Sequence, residues 1–170
     1  ESMQNDDHSA VLFLDIDNFK NLNDTQGHAV GDEILRIAGK ILREVSEEIG
    51  YAGRYGGEEM VVLLTYPESD AAVVAERIRD RIERESQDIY PVTASIGYKV
   101  YSSEMSGPGE YIKQADIAMY AAKTSGKNRV VDYDKRHLIE AKEVDAFEVE
   151  IQLDPEQEIQ GESPVPESAE

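Results

Sequence analysis

The stretch Arg54 to Leu64 reads RYGGEEMVVLL, a glycine pair, two adjacent carboxylates and an apolar run with no spacer between them. Strand-like runs flank the glycines, YAGRY before and MVVLL after, which is the pattern of a hairpin closed by a tight turn. A hairpin tip ordinarily stands in solvent, where charge costs little, so Glu58 and Glu59 taken alone suit an exposed turn. Upstream, AVLFL at Ala10 to Leu14 is a short continuous apolar run that ends at Asp15. Such a run predicts a central strand whose end opens at a surface. If the hairpin pairs beside that strand, the acids of both segments reach the same rim.

The remaining elements follow from periodicity. Between Gly31 and Glu47, apolar residues at 34, 35, 38, 41, 42 and 45 keep helical spacing and predict a strong amphipathic helix after the first strand. Ala71, Val74, Ala75, Ile78 and Ile82 predict a second one after the hairpin. In PVTASIGYKV, Val92 to Val100 alternate with polar or small residues, as in a half-buried strand. A helix around Tyr111 to Lys123 and a short strand at Val130 and Val131 complete the body. The order strand, helix, hairpin, helix, strand, helix, strand predicts an α+β fold: a mixed, mostly antiparallel five-stranded sheet with helices packed on it.

With 170 residues, 40% of them hydrophobic, the chain is long enough for one domain with a substantial core. It has no cysteine, so neither a disulfide framework nor a thiolate metal site is available, and a reducing, cytoplasmic setting is expected. No apolar run approaches the length of a membrane span, and the N-terminus ESMQNDDHSA lacks the pattern of a signal peptide. No membrane contact is expected from this segment. A net charge of -19 argues against a nucleic-acid partner, because such proteins gain affinity by neutralising phosphates. From Asp134 to Glu170 there are twelve acidic and three basic residues, and DPEQEIQGESPVPESAE holds three of the six prolines. Residues 134–170 therefore read as an acidic, partly disordered extension, with VDAFEVEIQL a candidate edge strand.

Carboxylates gathered about 4 Å apart at an effective dielectric near 20 repel by roughly 4 kcal/mol per pair, so a cluster takes up protons or a cation. Oxygen-only donors favour Mg²⁺, Mn²⁺ or Ca²⁺ over zinc and leave coordination sites for substrate phosphates. That donor chemistry suits phosphoryl transfer.

Four ordered motifs carry a more specific signal: LDIDNFKNLNDTQGHAVGDEIL, RYGGEEM, VTASIGY and ADIAMYAAKTSGKNRV. Together they resemble the GGDEF domain of bacterial diguanylate cyclases over about Val11 to Tyr133. The resemblance places the domain at 10–133, preceded by a remnant at 1–9 that lacks the family's usual Asp-x-Leu-Thr-Gly-Leu-x-Asn-Arg segment. It implies a fold like the palm of nucleotide cyclases and polymerases, related to ferredoxin-like folds. It also implies a reaction in which two protomers, each holding one GTP, form cyclic di-GMP and two pyrophosphates.

By the same resemblance, Asp15, the carbonyl of Ile16 and Glu58 are the expected ligands of Mg²⁺ or Mn²⁺. Glu59 is the candidate for assisting deprotonation of the ribose 3′-hydroxyl, although activation by the metal alone would suffice. Gly56 and Gly57 would let the backbone approach the triphosphate, and Lys20, Lys123 and Lys127 would neutralise it. Asn23 and Asp32 would hold guanine, whose N1 and N2 protons suit a carboxylate acceptor that adenine could not satisfy.

Local alternatives stand beside these roles. Asp17 is either a helix cap or a support for the metal, Asn23 and Asp24 suit a turn, and Asp32 suits a first helical turn. His28 reads as structural, and Arg54 and Tyr55 as braces of the hairpin. Met60 replaces the family's usual Phe, and Lys127 its common Arg. Where many relatives carry an inhibitory Arg-x-x-Asp site for the product, this chain has Glu47 to Gly50, EEIG, so no inhibitory site is expected. The alternative to an active homodimeric cyclase is a catalytically silent GGDEF-like module that binds GTP or a protein partner.

Overall fold

The computed structural model describes residues 9–65, 70–102 and 104–139. The acidic extension past 139, the candidate strand in VDAFEVEIQL and nearly all of the N-terminal remnant lie outside these residues.

Strand β1 (Ala10–Ile16) is buried along its whole length because it forms the middle of the sheet. Strands β2 (Gly50–Gly56) and β3 (Glu59–Leu64) form the hairpin, and β4 (Ala94–Val100) and β5 (Arg129–Asp132) complete the order β2-β3-β1-β4-β5. Every pairing is antiparallel except β4 with β5. The expected mixed, mostly antiparallel five-stranded sheet is the one found.

Two helices rather than one follow β1: α1 (Phe19–Gln26) and α2 (His28–Ser46), separated by Gly27 at φ 88°. Only Phe19 and Leu22 of α1 are buried, too few to set up a visible helical period. Asn23 and Asp24, which suit a turn by residue type, are helical here because the short α1 packs on α2. Helix α3 (Ala71–Glu85) is capped by Asp70, whose side chain accepts from Ala72 N at 2.9 Å, a bond type worth about 1 kcal/mol. Helix α4 (Pro108–Thr124) begins at a proline, which loses nothing at a position that has no intrahelical partner. No helix among the described residues is long and apolar enough to cross a membrane.

The pleat sorts the sheet's side chains onto two faces. Leu12, Leu14, Ile16, Met60, Val62, Leu64, Ala94 and Ile96 join α1, α2 and α3 in the main core. Val11 and Phe13 face the other way, against Ala115 and Met119 of α4. β4 is thus not half-buried as its alternation implies: Ala94 through Lys99 are all buried, because α4 covers the second face. Lys99 is 7% exposed and satisfied by both oxygens of Asp134, at 2.8 and 2.7 Å.

The hairpin turn also sits one residue later than a Gly56-Gly57 turn would. Gly56 still pairs with Glu59 after a bulge, and the turn itself is Gly57, at φ 53°, and Glu58. Arg54 Nε donates to the Gly57 carbonyl at 2.8 Å, and the Tyr55 ring meets Phe13 edge-on at 5.0 Å.

Candidate active site

The register of the sheet builds one rim. Asp15 stands directly opposite Glu59 across the β1–β3 pair, so both lie on the face covered by α4. Glu58 occupies the adjoining turn, and the Ile16 carbonyl belongs to the next residue of β1. From the last turn of α4, Lys123 brings its Nζ to 2.8 Å from Asp15 Oδ1. Asp15 is only 5% exposed, and the Lys123 ammonium at this distance answers its buried Oδ1. Burial pushes the Asp15 carboxyl up from 3.8 to about 6; Lys123 pulls it down, while Glu58 and Glu59 add to the rise.

Asp17 is not the helix cap that its position suggests. Its carboxylate accepts from Thr93 Oγ1 and Ser95 Oγ, both at 2.6 Å, and from the Asn128 N–H at 3.0 Å. Those three bonds tie the end of β1 to the start of β4 and to the turn before β5. The N-cap of α1 is instead Asn18, in the left-handed region at φ 56° with no side-chain cap. The first N–H groups of α1 therefore have neither intrahelical carbonyls nor a capping side chain, which leaves an anion-seeking helix start beside the rim. Lys127, at φ 62° in the turn that Asp17 fixes, donates to Asn18 Oδ1 at 2.6 Å and so reaches the same helix start. Lys20 is exposed on the first turn of α1. Asn18, Thr93, Ser95 and Asn128 are absent from the residue assignments made by motif. The alternation Thr93-Ala94-Ser95, which sends both hydroxyls to one face, is the signal that bears on two of them.

At the α1–α2 junction, Asn23 packs against Gly31. A Cβ on Gly31 would overlap Asn23 Oδ1 and lie 3.2 Å from Phe19 Cζ, so only glycine leaves room for this amide. Asn23 Oδ1 is buried without a hydrogen-bond partner, a group that ordinarily costs 1–3 kcal/mol unless a ligand or water answers it. Asp32, the next residue, is exposed and lines a cleft of about 620 Å³ between α2 and β2, with Leu35, Arg36, Arg54 and Met60. Asn23 does not line that cleft, and neither do Asp15, Glu58 and Glu59. The motif residues thus fall into two regions: the acidic rim with its lysines, and the start of α2, with Asn23 packed on Gly31 and Asp32 at the edge of the cleft. His28 is exposed at the start of α2. Glu47 and Gly50 lie at the far part of the cleft, where a Cβ on Gly50 would overlap the Leu63 carbonyl, so an aspartate has no room there.

A divalent ion fits the rim. A buried carboxylate with further hard-oxygen donors beside it and a lysine as countercharge has the donor chemistry that Mg²⁺ or Mn²⁺ prefers. Among the described residues, no three histidine, cysteine or acidic side chains are grouped so as to hold a metal ion by themselves. An ion held by so few protein groups keeps positions for phosphate oxygens.

Residues 1–129 match the family model described as the diguanylate cyclase GGDEF domain. Diguanylate cyclase A of Treponema denticola is 42% identical over 127 residues, 71% of this chain and 34% of that protein. The response regulator PleD of Caulobacter vibrioides is 40% identical over 134 residues, 74% of this chain and 29% of that protein. The chain therefore spans about a third of the length of these curated relatives. The active GGEEF domain of a Vibrio cholerae diguanylate cyclase superposes with a TM-score of 0.67 at 32% identity, covering 74% of this chain and 82% of that one. The GGDEF domain of DgcB from Caulobacter crescentus, solved in complex with c-di-GMP, gives 0.65 at 33% identity, covering 74% and 78%.

Proposed function

The chain belongs to the GGDEF family of diguanylate cyclases, and from that premise we propose that it condenses two GTP into cyclic di-GMP and two pyrophosphates. Two copies work together, each holding one nucleotide. The observation that carries this reading is the buried Asp15 carboxylate facing Glu59 across the sheet, with Glu58 in the next turn and Lys123 as a close cation.

Asp15, Glu58 and the Ile16 carbonyl hold the metal, which when bound supplies charge neutralisation at the α-phosphate and a lower pKa for the attacking hydroxyl. Glu59 takes the 3′-hydroxyl proton of the partner's nucleotide. The ribose oxygen then forms its bond to the α-phosphorus as the bond to pyrophosphate breaks, and the second half-reaction repeats this in the opposite sense. Lys20, Lys123 and Lys127 hold the triphosphate, with the uncapped start of α1 and the side-chain-free backbone at Gly56 and Gly57. Asn23 and Asp32 read the guanine edge. The domain carrying these roles is 10–133, acting in the cytoplasm. Replacement of the inhibitory pair by Glu47 and Gly50 leaves no feedback site for the product.

The test is incubation of the chain with GTP and Mg²⁺ or Mn²⁺, with products separated by chromatography. Cyclic di-GMP is expected from the parent and none from Glu58→Ala. Saturable GTP binding without product would instead assign the chain to the silent, ligand-binding members of the family.

Gly31→Ala probes the base end separately. The added methyl displaces the Asn23 amide, so the KM for GTP is expected to rise about tenfold, as for loss of one polar contact to a base. The change in kcat should be smaller, and the preference for GTP over ATP should narrow. An unchanged KM would remove Asn23 from base recognition.

A further inference from the structure

Phosphate binding accounts for a lysine near the rim, but not for its contact with Asp15. Asp15 and Lys123 differ in exposure: the carboxylate side chain is 7% exposed on a central strand, whereas the lysine side chain is 28% exposed on the last turn of α4. The ammonium is 2.8 Å from Oδ1. A partly exposed ammonium at the end of a flexible four-carbon stem can exchange one anion for another without moving the backbone. Removing it with nothing in its place would leave a buried anion beside Glu58 and Glu59, which is costly. The lysine therefore leaves Asp15 readily only when another cation takes its place and another anion receives it. Lys127 has a local oxygen of its own on Asn18, so it is not available as a substitute.

We propose that Lys123 is an exchangeable counter-ion for Asp15, occupying the carboxylate in the free protein and releasing it when a nucleotide triphosphate offers the ammonium a new partner. This rests on the reading of Asp15 as a metal ligand in a diguanylate cyclase. The consequence is coupling: the free protein holds divalent cations weakly, and nucleotide and cation enter together, each raising the affinity for the other by the same factor. A weak site in the free protein also keeps it from being filled by a cation that has no nucleotide.

The experiment is a nucleotide-free titration of the full chain with Mn²⁺, reading free Mn²⁺ by electron paramagnetic resonance. Lys123→Met keeps the bulk of the stem and removes the charge, and it is expected to bind Mn²⁺ at least about tenfold more tightly than the parent. Lys123→Arg, which keeps the charge, should stay as weak as the parent. Lys123→Met with Asp15→Asn should lose the gain. Melting curves establish that each variant is folded, and Lys123→Gln replaces the Met variant if that one is not. An affinity for Mn²⁺ in Lys123→Met equal to or below that of the parent overturns the proposal, as does undetectable binding in both or a gain that survives Asp15→Asn. Failure of the cyclase reading is seen elsewhere, as absence of cyclic di-GMP from the parent, so the two outcomes are separable.

Discussion

Asp15→Asn is expected to lower cyclic di-GMP formation by about three orders of magnitude or more while raising the melting temperature of the metal-free protein. The first effect follows from the proposed role of Asp15 as a metal ligand, whose electrostatic contribution to a phosphoryl transition state would be several kcal/mol. The second follows from burial. The carboxyl is raised from 3.8 to about 6, so its charged form is less favourable in the folded chain than in the unfolded one. For an acid raised in this way the favourable contribution belongs to low pH and is gone above the folded value, so at neutral pH a penalty of roughly 2–3 kcal/mol remains. Asparagine has nearly the same shape and no charge, and Lys123, with a 28% exposed side chain, can turn to solvent. The melting temperature in chelator at pH 7.5 should rise by about 3 °C or more. Mg²⁺ and GTP together should raise it further in the parent only. A variant that melts several degrees below the parent would mean that Asp15 supports the fold, and retained product formation would remove it from the chemistry.

The parts of this fold legible in the sequence are those fixed by long local patterns. The run AVLFL predicts a central strand, and Ala10 to Ile16 are buried throughout. Alternation at 92–100 predicts a strand but cannot say whether its second face is covered; burial of Ser95 and Lys99 depends on α4, which begins later in the chain. Helix α1 is invisible because two buried residues do not make a period. The same distinction governs the site. Glu58 and Glu59 stand out beside their glycines, whereas the function of Asp17 lies in donors at 93, 95 and 128, distant in sequence and close only after folding. Local reading offers Asp17 a cap or a supporting role at the metal; the folded chain gives the cap to Asn18 and three donors to Asp17. Likewise, nothing near Gly31 announces that its missing Cβ makes space for Asn23.

On the face of the sheet covered by α4, Gly97 meets helix backbone directly, and Gly97→Ala is expected to be strongly destabilising. A Cβ there would overlap Met119 N and Ala115 O and lie 2.5 Å from Ala118 C, all backbone atoms of α4. A flexible side chain could turn away from such a methyl, but a helix backbone cannot. The whole of α4 would have to lift from β1 and β4, loosening Val11, Phe13, Ala115 and Met119. Overpacking of this kind costs 1–3 kcal/mol where side chains can adjust, and more where backbone must move, so about 4 kcal/mol is expected. On a marginally stable domain that corresponds to a fall in melting temperature of roughly 10 °C or more. Because Lys123 is carried on the same helix, any folded remainder should also show a raised KM for GTP, as α4 no longer sets the ammonium beside the rim. Thermal denaturation of Gly97→Ala and Gly97→Ser against the parent checks this. The larger serine should be worse, and a loss below about 1 kcal/mol in both would show that α4 rides on the sheet with slack.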